Sequence, residues 1–140
     1  GLKGRMLKQP EQSYFMDELL INVNDRYVNN SLNSGLEKNG CSGHQTAWVD
    51  FDNDGKLDLY ITCRRAGQPN QLYKQLDDFQ FVEIEKQFSL DLEGKWLGPF
   101  LWLDYDSDGD QDLILEEDSN IWLYVNYKNN FSNFISRKPS

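Results

Sequence analysis

Histidine is nearly absent and cysteine is scarce. The 140 residues contain one histidine, His44, and two cysteines, Cys41 and Cys63. A single histidine excludes a His-rich metal centre and leaves little room for His-dependent catalysis. Two cysteines are too few for a disulfide scaffold. Bases are outnumbered, 14 against 23 acids, for a formal charge of −9. Such a chain repels nucleic acid and anionic membrane surfaces and attracts cations. Long apolar runs are missing too. The longest, from Trp96 to Leu103, is broken by Gly98 and Pro99 and is too short to span a bilayer, so membrane insertion is not expected. No charged-then-apolar leader pattern opens the chain, and because it begins with Gly1 nothing follows about the natural start. No Gly-rich phosphate loop, G-x-S-x-G or H-E-x-x-H occurs. Hydrophobic residues (39%) and aromatics (14%) are plentiful enough for a folded core.

The strongest internal signal is a repeat. Ala47-Trp48-Val49-Asp50-Phe51-Asp52-Asn53-Asp54-Gly55-Lys56-Leu57-Asp58-Leu59 returns as Leu101-Trp102-Leu103-Asp104-Tyr105-Asp106-Ser107-Asp108-Gly109-Asp110-Gln111-Asp112-Leu113, a shift of 104 − 50 = 54 residues. Each copy is followed by a similar aromatic half: Asn70-Gln71-Leu72-Tyr73-Lys74, then Phe79 to Ile84, and Asn120 to Asn126, then Asn130 to Ile135. The chain opens on a comparable piece, Glu18 to Val28, so residues 1–36 read as the back half of an incomplete unit with an N-terminal tail. Residues 37–90 read as a first full unit, and 91–140 as a second with a C-terminal tail. Short β-branched and aromatic runs between polar, Gly and Asn turns predict ten strands: 18–24, 26–30, 45–50, 56–63, 70–75, 79–84, 99–104, 112–116, 120–126 and 130–135. The stretch 85–92 reads at most as a helical turn.

The loop inside the repeat, D-x-D-x-D-G-x-x-D, carries chemistry. Carboxylates at alternate positions 1, 3 and 5 of a tight loop converge on one point, and Gly at position 6 supplies the sharp turn. Calcium takes about six to eight oxygens and suits this oxygen-only set better than magnesium, which keeps its waters. The expected ligands are Asp50, Asp52, Asp54, the Lys56 carbonyl and Asp58, and Asp104, Asp106, Asp108, the Asp110 carbonyl and Asp112: two calcium sites. Position 12 is Ile61 or Leu115, which excludes an EF-hand. The bland alternative is an acidic solvated turn, but four carboxylates in nine residues repel one another without a counter-ion.

These paired segments resemble FG-GAP/VCBS repeats, the units of integrin-α-like β-propellers, over about residues 17–135. The resemblance implies an all-β fold of antiparallel four-stranded blades with a calcium loop between the first two strands of each, no catalytic residues, and an extracellular, cell-surface or periplasmic setting. At 54 residues per blade the chain supplies about two and a half blades. That cannot close a ring, which takes roughly four to eight. The reading that follows is a non-catalytic calcium-binding module for protein recognition or adhesion. Its partner is a protein, further repeats completing the propeller, or another copy of the chain. A carbohydrate-binding lectin and a structural subunit or fragment of a larger complex or enzyme stand as alternatives.

Trp48 and Trp102 occupy equivalent positions and suit blade packing, with a carbohydrate platform as the alternative. Trp96 and Trp122 are less constrained, and an exposed one could stack on a sugar. His44 near Ser42 reads as a loop histidine. In a straight hairpin Cys63 falls opposite Gln45, which holds it out of bridging range of Cys41 unless the strand bends. Asn29-Asn30-Ser31 and Asn130-Phe131-Ser132 match the N-glycosylation pattern.

Overall fold

The computed structural model describes residues 18–36, 43–63, 68–77, 79–93 and 95–135. All ten expected strands are present: β1 (Leu20–Val23), β2 (Arg26–Asn29), β3 (Gly43–Val49), β4 (Asp58–Cys63), β5 (Gln71–Gln75), β6 (Phe81–Glu83), β7 (Leu97–Leu103), β8 (Asp112–Glu117), β9 (Asn120–Tyr127) and β10 (Asn130–Ile135). A one-turn helix, Ser31–Ser34, follows β2 and was not expected from the sequence. A 3-10 turn at Glu85–Phe88 follows β6.

The strands form an antiparallel hairpin, β1-β2, and two antiparallel four-stranded sheets, β3-β4-β5-β6 and β7-β8-β9-β10. Among the described residues no closed ring forms and no strand pairs with the outer edge of β1. Three hairpins turn on two residues that are both left-handed: Asn24 and Asp25, Asp118 and Ser119, Lys128 and Asn129. This is the type I′ geometry, whose twist matches that of the flanking strands.

Strand alternation places each sheet between neighbours. On β4, which is buried along its whole length, Leu59, Ile61 and Cys63 point toward the hairpin and pack with Leu19, Leu36 and Ile21. Tyr60 points the other way, into a second core with Phe100, Leu113, Leu115 and Tyr124 of the second sheet. Its ring meets Phe100 and Trp102 edge-on, with centroids 5.1 and 5.5 Å away. Between the inner strands, the Gln45 amide donates to the Phe100 carbonyl and accepts from the Phe100 N–H, both at 3.3 Å, in place of a strand pairing. The equivalent of Tyr60 on β8 is Ile114, which is only half-buried. Leu101, the equivalent of the packed Ala47, is exposed. The far face of the second sheet thus offers the positions that the first sheet uses for packing, without a neighbour among the described residues.

Cys63 departs from the straight-hairpin expectation. Gln45 pairs with Thr62, so a straight ladder would set Cys63 opposite His44, and a β-bulge between Gly43 and Gln45 moves it one residue further, opposite Gly43. Cys63 is disulfide-bonded. The only other cysteine in the chain is Cys41, which lies outside the described residues. Closing a loop of that length is worth about 3 kcal/mol. Reduction, or Cys63→Ser, is therefore expected to lower stability by about that amount. The check is thiol titration of the unfolded protein with and without reductant, beside the two melting curves. Two free thiols before reduction would refute the bridge.

Candidate metal centre

Each repeated loop joins the first two strands of a sheet, β3 to β4 and β7 to β8. The backbone closes on left-handed residues at positions 4 and 6: Asn53 (φ 58°) and Gly55 (φ 86°), Ser107 (φ 63°) and Gly109 (φ 96°). A Cβ at either glycine would meet nothing within 4 Å, so dihedral angle and not crowding selects glycine there.

The position-1 carboxylates organise the turns. Asp50 accepts from the N–H of Asp54 (3.0 Å) and Gly55 (2.9 Å). Asp104 accepts from Asp108 and Gly109, both at 3.1 Å. Asp54 and Asp108 in turn accept from the N–H two residues on, at 2.9 Å. The outcome is two trios, Asp50, Asp52 and Asp54, and Asp104, Asp106 and Asp108, in each of which one oxygen per residue lies within 4.8 Å of the others. Three hard oxygens converging at this distance suit a divalent cation, and the buried Asp52 Oδ1 has no hydrogen-bond partner.

The ninth-position residues also bond to the backbone of their sheets. Asp58 and Asp112 are fully buried. Asp112 accepts from the N–H of Tyr105 in its own loop and of Asn126 on β9, both at 2.7 Å. Asp58 does the same with Phe51 (3.3 Å) and Gln75 of β5 (2.8 Å). Each carboxylate staples its loop to the third strand of its sheet. Burial pushes the Asp58 carboxyl up to about 6, with the backbone N–H bonds working against that rise. Among the seventh-position residues, the side chain of Asp110 accepts from the Lys128 N–H (2.7 Å) and from the Asn53 amide (2.8 Å). Asn53 also donates to the Gly109 carbonyl (3.2 Å), which ties the two loops together. The Asn126 amide crosses between sheets to the Phe51 carbonyl (3.0 Å).

The loops differ electrostatically. Lys74 on β5 ion-pairs with Asp52 and Asp54. Its hydrogen bond is the main cause of the lowered Asp54 pKa. In the second loop the Asp106 pKa is raised, first by desolvation and then by the charge of Asp108. Lys74, Asn53 and Asn126 were not singled out in the sequence, since nothing local to a lysine or asparagine signals a contact with a loop some 20 or more residues away.

The aromatic candidates separate as well. Trp102 packs into the core between sheets, against Tyr60 and Phe131. Trp48 is 48% exposed and packs on Phe81 of its own sheet. It lines a groove of about 550 Å³ with Leu20, Ile21, Tyr27, Leu57 and Phe79. Trp96 is 67% exposed, and Trp122 is half-buried beside Tyr124. His44 is exposed on β3, while Ser42 lies outside the described residues.

A family model described as an FG-GAP-like repeat matches residues 50–115, from the first acid of the first loop into β8. The chain is therefore similar to a propeller-type repeat module over both loops and the sheet between them. No curated protein matches it.

Proposed function

We propose that this chain is a non-catalytic, calcium-stabilised recognition module working outside the cytoplasm as part of a larger propeller-type assembly. The observation that carries the calcium reading is the pair of equivalent loops, each gathering three carboxylates in one turn. Asp50, Asp52 and Asp54, and Asp104, Asp106 and Asp108, would hold the two ions, with the carbonyls of Lys56 and Asp110 and the second lone pairs of Asp58 and Asp112 as further oxygens. Calcium supplies charge neutralisation; the protein supplies the loop, already closed by its own N–H bonds. The disulfide at Cys63 supports an oxidising compartment. Among the described residues nothing pairs with the outer edge of β1 or covers the far face of the second sheet, which supports pairing with further blades or a protein partner.

A lectin reading draws on one specific observation: Trp48 and Tyr27 line a groove that reaches Gly55 and Lys56 of the first loop. A glycan array decides between the two. For the metal, calorimetric titration of EDTA-stripped protein is expected to give a calcium stoichiometry near two. A stoichiometry of zero would overturn the calcium reading.

A further inference from the structure

We infer that Lys74 is a tethered counter-ion that calcium must displace from the first loop, so that the loop at Asp104–Asp112 takes calcium first and the loop at Asp50–Asp58 second. This rests on the calcium reading and asks what distinguishes the two sites.

The Lys74 ammonium contacts two of the three first-loop carboxylates, Asp52 and Asp54, the latter at 2.8 Å. It is a monovalent stand-in for the cation that this donor set suits. The second sheet has no such residue. Tyr73 stands opposite Leu59 and Tyr124 opposite Leu113, so the residue equivalent to Lys74 is Val125. Lys128 lies nearby, but it gives only its backbone N–H to the loop, and its ammonium sits 5.2 Å from the centroid of the Tyr127 ring. Among the described residues no ion pair reaches Asp104, Asp106 or Asp108. Calcium entering the second loop therefore displaces water. Calcium entering the first must also break two ion pairs, one of them at a carboxylate whose side chain is only 12% exposed. Ion pairs out of full solvent are the ones with appreciable strength.

The test is a calcium titration by calorimetry on EDTA-stripped wild type, Asp108→Ala, Lys74→Met, the Lys74→Met/Asp108→Ala double variant and Val125→Lys. Wild type is expected to fill in two steps about tenfold apart in affinity. Asp108→Ala should keep the weaker step. Adding Lys74→Met should tighten that step about tenfold, and Val125→Lys should weaken the tighter wild-type step by a similar factor. Melting in EDTA gives a second readout: Lys74→Met should lower the transition, because the first loop loses its counter-ion. Lys74→Gln serves equally where the methionine variant does not fold. Unchanged first-loop affinity without the lysine, or loss of the weak step in Asp108→Ala, would overturn the role of Lys74 and leave the calcium reading intact. No heat of binding in any form overturns the calcium reading, and this inference with it.

Discussion

Moved from EDTA into calcium at a hundredfold excess over the weaker site's dissociation constant, the protein is expected to gain at least about 15 °C in melting temperature. Each ion bound only by the native state contributes at least about 2.7 kcal/mol under those conditions, so two contribute at least about 5.4 kcal/mol. For a chain of this size about 3 °C accompanies each kcal/mol. The metal-free protein starts from a poor position, because nine of its 23 acids (Asp50, Asp52, Asp54, Asp58, Asp104, Asp106, Asp108, Asp110 and Asp112) sit in two short loops. Asp54→Ala or Asp108→Ala should each remove about half of the calcium-dependent gain and change melting in EDTA much less. A calorimetric scan in the two buffers is the measurement. Equal losses for these variants with and without calcium would mean that the carboxylates serve the loop alone.

Asp112→Ala should behave in the opposite way, destabilising by about 3–4 kcal/mol in EDTA as well as in calcium. Its two oxygens take up the N–H groups of Tyr105 and Asn126 at 2.7 Å, and the residue is fully buried. Alanine leaves both donors without a partner where water does not replace it, at about 1–3 kcal/mol for each unsatisfied group. Asp112→Asn keeps one acceptor oxygen and should fall between. Denaturant unfolding in EDTA separates the cases. If Asp112→Ala unfolds at the wild-type midpoint there, the staple has no structural weight and the residue acts only through metal. Asp58 makes the same two contacts at 3.3 and 2.8 Å, and its alanine variant should show a similar but smaller metal-independent loss.

Strand positions and the two carboxylate trios were legible in the sequence because both are local. Alternation of apolar residues over five or six positions marks a strand whatever it later packs against. Positions 1, 3 and 5 of a nine-residue loop closed by Gly55 or Gly109 converge within a single turn. The 54-residue offset also places Leu59 and Leu113 correctly on the same side of successive sheets. Applied past the loops, the same offset misleads: it pairs Lys74 with Lys128, whereas the ladder pairs Lys74 with Val125. The offset there is 124 − 73 = 51, because the tight turn at Asp118 and Ser119 joins β8 to β9 where the first sheet spends a longer connection between β4 and β5.

Contacts across that register and between sheets were settled only by the tertiary structure. Spacing marks the position-9 carboxylate as a ligand candidate, and only the packed sheet shows that it also takes an N–H from β5 or β9. Trp48 and Trp102 occupy equivalent positions of the repeat, yet Trp102 has Tyr60 of a preceding sheet to pack against, and Trp48 faces the groove beside β1-β2. Asn53 reaches a loop 57 residues away because two sheets stack with their loops at one edge. The position of Cys63 turned on the hairpin register and on one bulge, each worth one residue. Spacing along a chain determines what meets within a turn or a strand. What meets across strands and sheets depends on register, bulges and connection lengths, and those are fixed when the whole core packs at once.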